Sequence, residues 1–296
     1  MPELPEVETV RRGLSSLIIR KKIASTTNDN PKSFPNTTVD VNTFLVGASV
    51  TDVRRRAKVL MIDLSTDYSL VIHLKMTGQL VYVSPNDRFG AGHPNDSLVN
   101  ALPDKSTRVS LQFDDGSTLF FNDQRKFGWV KLMPTLEIPN LPFMKKVGPE
   151  PLELDFTAQQ FKDRFTRRAR TNIKAAILDQ SVVAGVGNIY ADEALWGAKI
   201  HPTRLVGSIT DAEFALLYSE LREVMNLSIE KGGSSNRNYV NAEGKRGSYM
   251  DFARVFRREG LPCPRCGTTI EKSRVAGRGT HTCPFCQVAT INPTDK

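Results

Sequence analysis

The sequence predicts an α+β protein of more than one domain: a β-rich N-terminal domain that begins with a helix, a helical second domain, and a small metal-bound module near the C-terminal end. Three observations carry this. β-Branched and aromatic runs cluster between about residues 48 and 132, helix caps and helical periodicity follow a proline-rich stretch, and all four cysteines stand in two C-x-x-C pairs. At 296 residues the chain is long enough to build two domains and an appended module.

The first element is a helix over residues 3–18, because Val7, Val10, Leu14, Leu17 and Ile18 fall on one helical face. Strands follow at Val59-Leu60-Met61-Ile62-Asp63-Leu64, Leu70-Val71-Ile72-His73-Leu74, Val109-Ser110-Leu111-Gln112-Phe113 and Thr118-Leu119-Phe120-Phe121, with Asp114-Asp115-Gly116-Ser117 as a hairpin turn. Residues 86–106 read as a long exposed loop. Pro134, Pro139, Pro142, Pro149 and Pro151 place an interdomain linker at 134–152. Beyond it, Asp155 or Thr157 caps a helix over 158–168, Ile173, Ala176 and Ile177 mark another, a third begins near Asn188, and Thr210-Asp211-Ala212-Glu213 caps a longer helix reaching about 229. Residues 231–245, rich in Gly, Ser and Asn, read as a flexible loop. The resulting partition is 2–133, 153–246 and 247–291.

Cys263, Cys266, Cys283 and Cys286 form two knuckles that can wrap four thiolates around one ion. Two disulfides or a redox pair would use the same residues, but neither suits a cytoplasmic chain without a neighbouring βαβ pattern. One structural Zn²⁺ is the expectation; four cysteine ligands leave it no open position for chemistry. Between the knuckles, Arg278 stands between Gly277 and Gly279 at the tip of a hairpin, either beside a phosphate or in a solvated turn.

Forty Lys and Arg against 32 Asp and Glu give a net charge of +8, which favours an acidic partner. Arg254, Arg257, Arg258, Arg265, Lys272, Arg274 and Arg278 crowd the cysteine-bearing stretch. No apolar run is long enough to span a bilayer, so no membrane partner is expected. Glu3, Glu6 and Glu8 stand where a signal peptide would be positive, so the expected location is cytoplasmic.

Chemistry enters at Met1-Pro2-Glu3-Leu4-Pro5-Glu6. A small second residue normally permits methionine removal, leaving Pro2 as a secondary amine with a useful neutral fraction at physiological pH. Such an amine can attack a sugar C1′ to form an iminium ion, with Glu3 moving protons. Read without the rest of the chain, the same residues make an ordinary helix start, with Pro5 in the first turn and acids favoured there by the helix dipole.

That start, together with Asn122-Asp123-Gln124-Arg125-Lys126-Phe127-Gly128, Gly185-Val186-Gly187-Asn188-Ile189-Tyr190 and the terminal cysteines, resembles the formamidopyrimidine-DNA glycosylase family. The four motifs lie in family order and span nearly the whole chain. The resemblance implies a β-sandwich carrying the terminal helix, a helix-two-turn-helix domain and a zinc ribbon. It implies Pro2 as nucleophile, Glu3 as catalytic acid or base, Lys58 as a further catalytic residue near the lesion nucleotide and its phosphates, and Glu6 as a supporting carboxylate. Read alone, Lys58 is a strand-edge charge. The family fills the hole left by an extruded nucleotide with a Met, an Arg and a Phe, matched here by Met76, Arg125 and Phe127. From sequence alone, Met76 and Phe127 read as core. Lys174, Asn188 and Arg278 match DNA-backbone contacts, and Gly232 to Tyr239 matches a loop that folds over the extruded base.

The implied activity is excision of oxidised purines, 8-oxoguanine or formamidopyrimidines, from damaged double-stranded DNA, with lyase β,δ-elimination, by a monomer that needs Zn²⁺ alone. Two other readings are an endonuclease VIII-like enzyme for oxidised pyrimidines and a non-catalytic DNA-binding protein on the same scaffold. Leu4 and the Met76, Arg125 and Phe127 set favour the purine enzyme, and intact Pro2, Glu3 and Lys58 oppose the binding protein. The chain departs from the family pattern at Asp104-Lys105-Ser106-Thr107-Arg108, which lacks the histidines often found there, and at Ala57, where glycine is common.

Overall fold

The structure, a computed structural model, describes residues 1–234 and 249–289. The chain divides into two compact units, Met1–Lys145 with Ser228–Tyr249, and Lys146–Leu227 with Met250–Lys296.

The first unit begins with α1 (Leu4–Ile18), whose Val7, Val10, Leu14 and Ile18 are fully buried. Glu3 and Glu6 close a capping box at its start, so the helix begins where the predicted chemistry would lie. Among the described residues eleven strands follow, and the first nine build this unit. β1 (Ile23–Asn28), β7 (Thr107–Phe113), β8 (Thr118–Asp123), β5 (Gly78–Val83) and β6 (Arg88–Gly92) form one sheet in that order. A short α2 (Thr38–Asp40) leads to the second sheet, β2 (Val50–Arg56), β3 (Val59–Leu64), β4 (Tyr68–His73) and β9 (Trp129–Pro134). All pairings are antiparallel. Ile62, Ile72 and Val130 of one sheet share a single core with Leu80, Leu111 and Phe121 of the other, which makes the unit a β-sandwich.

The stretch read as a loop over 86–106 contains β6. Its sequence, Arg-Phe-Gly-Ala-Gly, hides the strand because glycine is depleted in strands, yet here glycine is needed. A Cβ on Gly92 (φ +125°) would lie 2.5 Å from the Gly78 carbonyl. Phe89 is buried against α1, where a Cβ on Gly13 would fall 2.1 Å from its ring. Gly13→Ala is therefore expected to destabilise by about 1–3 kcal/mol through overpacking, although alanine is the better helix former. Urea titration checks this, and a more stable variant would contradict the account.

The proline-rich stretch does not stand free. A 3₁₀ turn at Thr135–Asn140 and α3 (Pro142–Lys146) pack Ile138, Leu141, Phe143 and Met144 against Val59, Met61, Val71 and Met133 on the outer face of the second sheet.

In the second unit, Thr157 caps α4 (Ala158–Asp163) through a capping box with Gln160. The helix stops earlier than its expected end at 168, giving way to a 3₁₀ turn at Thr166–Arg168 that lets Phe165 pack on Phe161 and Phe214. Asn172 caps α5 (Ile173–Leu178), two turns lead to α6 (Asn188–Gly197), and α7 (Asp211–Glu230) follows. This is the helix-two-turn-helix arrangement. The ribbon hairpin is β10 (Glu271–Val275) and β11 (Arg278–Thr282). Its central turn residues are Ala276 (φ 52°) and Gly277 (φ 73°), so Arg278 is the first residue of β11, one step from the apex. Among the described residues, no helix is long and apolar enough to cross a membrane.

Candidate active site and nucleic-acid interface

At the N-terminus Pro2 is buried, with Glu3 and Glu6 only 3% and 4% exposed. Glu6 works with both oxygens. Oε2 accepts from the Glu3 backbone N–H at 2.8 Å, and Oε1 accepts from the Ser234 N–H at 2.8 Å. The carboxylate thus joins the start of α1 to the segment following α7, where Gly233 (φ +89°) passes close enough that a Cβ would lie 3.3 Å from Glu6 Cγ. The loop predicted to cover the extruded base lies outside the described residues from 235 onward.

One turn along α1, Glu8 is a buried hub. Arg11 Nη2 and Arg12 Nε donate to its Oε1 at 2.8 and 2.9 Å, and Arg55 Nε donates to Oε2 at 3.2 Å. Burial opposes ionisation, but the hydrogen bonds from Arg11 and Arg12 and the charges of Arg11 and Arg55 outweigh it and hold the carboxyl at about 2, against an ordinary 4.5. The stabilisation is complete above pH 4.5 and is lost as pH falls toward 2; it amounts to about 3 kcal/mol. Glu8→Gln is expected to flatten the acid limb of the stability curve in that window. An unchanged limb in urea titrations between pH 5 and 2.5 would contradict this.

Arg55 carries the same link to the second strand pair. Its Nη1 donates to the Ala57 carbonyl at 3.0 Å, steadying the β2–β3 turn in which Ala57 has φ 52°. The left-handed angle explains why glycine would suit this position. Lys58 follows, 8% exposed, which rules out a solvated strand-edge charge. Beside it on β4, His73 is pushed down to about 3 by burial and by the charges of Lys75 and Lys58. Its Nδ1 accepts from the Lys75 N–H at 3.1 Å, so at neutral pH the ring is uncharged and carries its proton on Nε2. Sequence reasoning passed over His73 because a lone histidine in a strand gives no signal.

Met76, Arg125 and Phe127 lie in two neighbouring turns. Met76 is half-buried and is not part of the sandwich core, while Arg125 and Phe127 are exposed, Phe127 by 53%. The Arg125 guanidinium sits 4.7 Å over the Phe127 ring. Core packing, the plain reading of Met76 and Phe127, is not what the structure shows.

In the second unit Lys174, Asn188 and Arg278 come together at one hairpin. Lys174 is fully buried: its Nζ donates to Asp192 Oδ1 at 2.5 Å, to Thr280 Oγ1 at 2.7 Å and to the Gly279 carbonyl at 3.2 Å. In this arrangement the ammonium, which the resemblance implies at the DNA backbone, faces inward. An ammonium enclosed by an ion pair and two oxygens is a strut holding the hairpin to α5 and α6. Asn188 Nδ2 donates to the same Gly279 carbonyl at 2.9 Å, leaving the exposed Arg278 next along the chain directed by two anchors. Asp192 also accepts from the His281 backbone N–H at 3.0 Å. Neither Asp192 nor His281 carried a sequence signal.

The four cysteine sulfurs lie within 4.8 Å of one another. Cys266 and Cys283 are 3.4 Å apart and Cys263 and Cys286 4.0 Å, too far for disulfides, which require about 2.05 Å. The surroundings fit a thiolate-bound ion. Backbone N–H groups of Arg265 and Cys266 face the Cys263 sulfur, and the buried indole Nε1 of Trp196, which has no oxygen or nitrogen acceptor, also faces it. All four cysteines could hold one Zn²⁺, whose contribution would be to fix the hairpin. Cys266→Ala is expected to lose the metal and, with Arg278 unmoored, to weaken DNA binding roughly 10- to 100-fold. Metal analysis and a binding titration check this; full metal content and unchanged affinity would contradict it.

A β-sandwich with a capped N-terminal helix, a helix-two-turn-helix unit and a tetracysteine ribbon define a zinc-finger protein of the helix-two-turn-helix class. Residues 1–130 match the formamidopyrimidine-DNA glycosylase N-terminal domain, 147–239 the H2TH domain of the same proteins, and 260–288 the zinc finger found in FPG and IleRS. The chain belongs to the formamidopyrimidine-DNA glycosylase family. The formamidopyrimidine-DNA glycosylases of Pediococcus pentosaceus and Desulforamulus reducens are each 42% identical to it, over 97% and 98% of this chain and 99% and 100% of theirs. A Lactococcus lactis FPG mutant in complex with Fapy-dG-containing DNA superposes with a TM-score of 0.85 at 35% identity, covering 97% of this chain and all of that one. A MutM complex with carbocyclic 8-oxo-G DNA gives 0.84 at 35% identity over the same shares. The wild-type Lactococcus lactis protein with an oxidised-pyrimidine-containing DNA also gives 0.84, at 34% identity over the same shares.

Proposed function

We propose that this chain is a base-excision repair glycosylase that removes oxidised purines from duplex DNA and cleaves the resulting abasic site. The observation that carries the reading is the full-length match to formamidopyrimidine-DNA glycosylases, two structural relatives of which hold DNA bearing Fapy-dG or 8-oxo-G. The capped, buried Pro2–Glu3 start supplies chemistry consistent with it.

With Met1 removed, the Pro2 nitrogen is a secondary amine. Its lone pair attacks C1′ of the extruded nucleotide, the C1′–N bond breaks and the base departs with a proton. The ring then opens as a C1′ iminium on Pro2. Loss of a C2′ proton expels the 3′ phosphate, a further elimination expels the 5′ phosphate, and hydrolysis of the iminium frees Pro2, leaving a one-nucleotide gap. Glu3 is the proton carrier, and Glu6 fixes the Glu3 backbone. Lys58 lies at the lesion-side phosphate and Met76, Arg125 and Phe127 occupy the vacated stack. Asn188 and Arg278 bind the DNA backbone. In this reading the acting unit is a monomer, since one chain supplies every residue named, and it works in the cytoplasm, where a bacterial-type repair enzyme meets its DNA.

The test is excision from duplexes carrying 8-oxoguanine opposite cytosine or an oxidised pyrimidine. Faster release of the purine supports the reading. Faster release of the pyrimidine would assign the chain to the endonuclease VIII-like class, and no release of either would leave a DNA-binding protein.

A further inference from the structure

We propose that Asp123, with Thr77 as its partner, is the positioning residue that holds Met76, Arg125 and Phe127 as a single wedge. The inference rests on the function proposed above and deepens it, because it names what sets the geometry of the three residues.

The three side chains stand on two turns nearly fifty residues apart in sequence. One runs from Leu74 to Gly78, closed by the Gly78 N–H donating to the Leu74 carbonyl at 2.8 Å, with Lys75 at φ 51° and Met76 next to it. The other runs from Asp123 to Gly128, with Lys126 at φ 57° between Arg125 and Phe127. They meet because β5 and β8 are neighbours and Gly78 pairs with Asp123 in register.

Asp123 is fully buried, and its carboxylate is committed to both turns. Oδ1 accepts from the Thr77 hydroxyl and from the Arg125 backbone N–H at 3.2 Å, and Oδ2 accepts from the Gly128 N–H at 2.6 Å. Thr77 Oγ1 also accepts from the Arg125 N–H at 3.0 Å, so Thr77, the residue beside Met76, and Asp123 share the backbone donor of the wedge arginine. Gly128 comes this close only because it has no Cβ: one would fall 2.8 Å from the Phe121 ring and 3.1 Å from Asp123 Oδ2.

The backbone of Asp123 is fixed as well. Its N–H donates to the Ser106 carbonyl at 2.7 Å, and its carbonyl accepts from Arg108 Nε at 2.8 Å. Arg108 is 4% exposed, pairs with Asp29 and donates to the Lys105 carbonyl at 2.6 Å. Ser106 contributes only its backbone carbonyl, whereas Arg108, in the segment that lacks the family's common histidines, contributes its side chain.

A buried carboxylate is a poor source of stability compared with an apolar residue of the same size, and its use is to select one conformation. Here the selected conformation belongs to exposed side chains. Arg125 and Phe127 have no core packing to orient them, so their direction comes from the backbone of their turn. Asp123 fixes that backbone before DNA arrives, sparing the ordering cost at binding.

The experiment uses the full chain and two substrates: a duplex with 8-oxoguanine opposite cytosine, whose nucleotide must be extruded, and a single-stranded oligonucleotide with an abasic site, which leaves no stack to fill. The ratio of borohydride-trapping rates on the two is measured for Thr77→Val, Thr77→Ser and Asp123→Asn. We expect the duplex to single-strand ratio to fall about tenfold or more in Thr77→Val and Asp123→Asn, and to return to within about threefold in Thr77→Ser, which restores the hydroxyl. An unchanged ratio in Thr77→Val, including one in which both rates fall together, would overturn the proposal, as would a failure of Thr77→Ser to recover. The conservative Thr77 pair keeps the test valid if Asp123→Asn does not fold. Failure of the function itself is seen separately, as no trapping by the unsubstituted protein on either substrate, and would remove the basis of the inference.

Discussion

A chain that retains Met1 is expected to form no trapped complex with abasic DNA and to lose lesion excision by roughly three orders of magnitude or more. In such a chain the Pro2 nitrogen is a tertiary amide whose lone pair is delocalised into the Met1 carbonyl, and it cannot attack C1′. No other change accompanies the extra residue. Glu3 still caps α1, Glu6 still bonds the Glu3 N–H, and the wedge turns are untouched. Two preparations, one processed and one carrying an uncleavable N-terminal extension, should therefore bind DNA with affinities within about tenfold of each other while differing in chemistry. Equal trapping by both would place the nucleophile elsewhere, with Lys58 the first alternative.

The second large effect is at Glu3. Glu3→Gln is expected to slow release of 8-oxoguanine by roughly 10²- to 10⁴-fold, the range for removal of a positioned proton carrier. Trapping at a preformed abasic site should suffer less, because no base has to leave. Glutamine has the length of glutamate and keeps an oxygen to accept at the helix start, so α1 and the buried Glu6 bond survive the change. Single-turnover rates on the two substrates separate these effects. Equal losses on both would mean that Glu3 holds the fold and moves no proton in base release.

How much of this was legible in the sequence depended on whether a residue's role is local. Helix α1 could be read from Val7, Val10, Leu14 and Ile18 because one buried face is a periodic signal. The cysteine cluster could be read because two C-x-x-C pairs constrain geometry directly. The strand β6 could not, since Gly90 and Gly92 look like loop residues until Gly13, Phe89 and Gly78 are seen to need the space. The bond of Lys174 to Asp192, eighteen residues on, was hidden for a related reason, since only tertiary structure brings the two together. Met76 and Phe127 were ambiguous because exposure is not a property of residue type. Asp123, inside the motif that carried the resemblance, gave no hint of its bond to Thr77, because strand register made that neighbour.

The chemistry proposed for Pro2 turns on which protein atom becomes bonded to the sugar. Borohydride reduction of the complex formed with abasic or 8-oxoguanine-containing duplex, followed by proteolysis and mass spectrometry of the DNA-linked peptide, reads that atom directly. The predicted result is a single adduct on a peptide that begins at Pro2, with the sugar remnant on the proline nitrogen. An adduct on the peptide containing Lys58, or on any residue other than Pro2, would contradict the central claim.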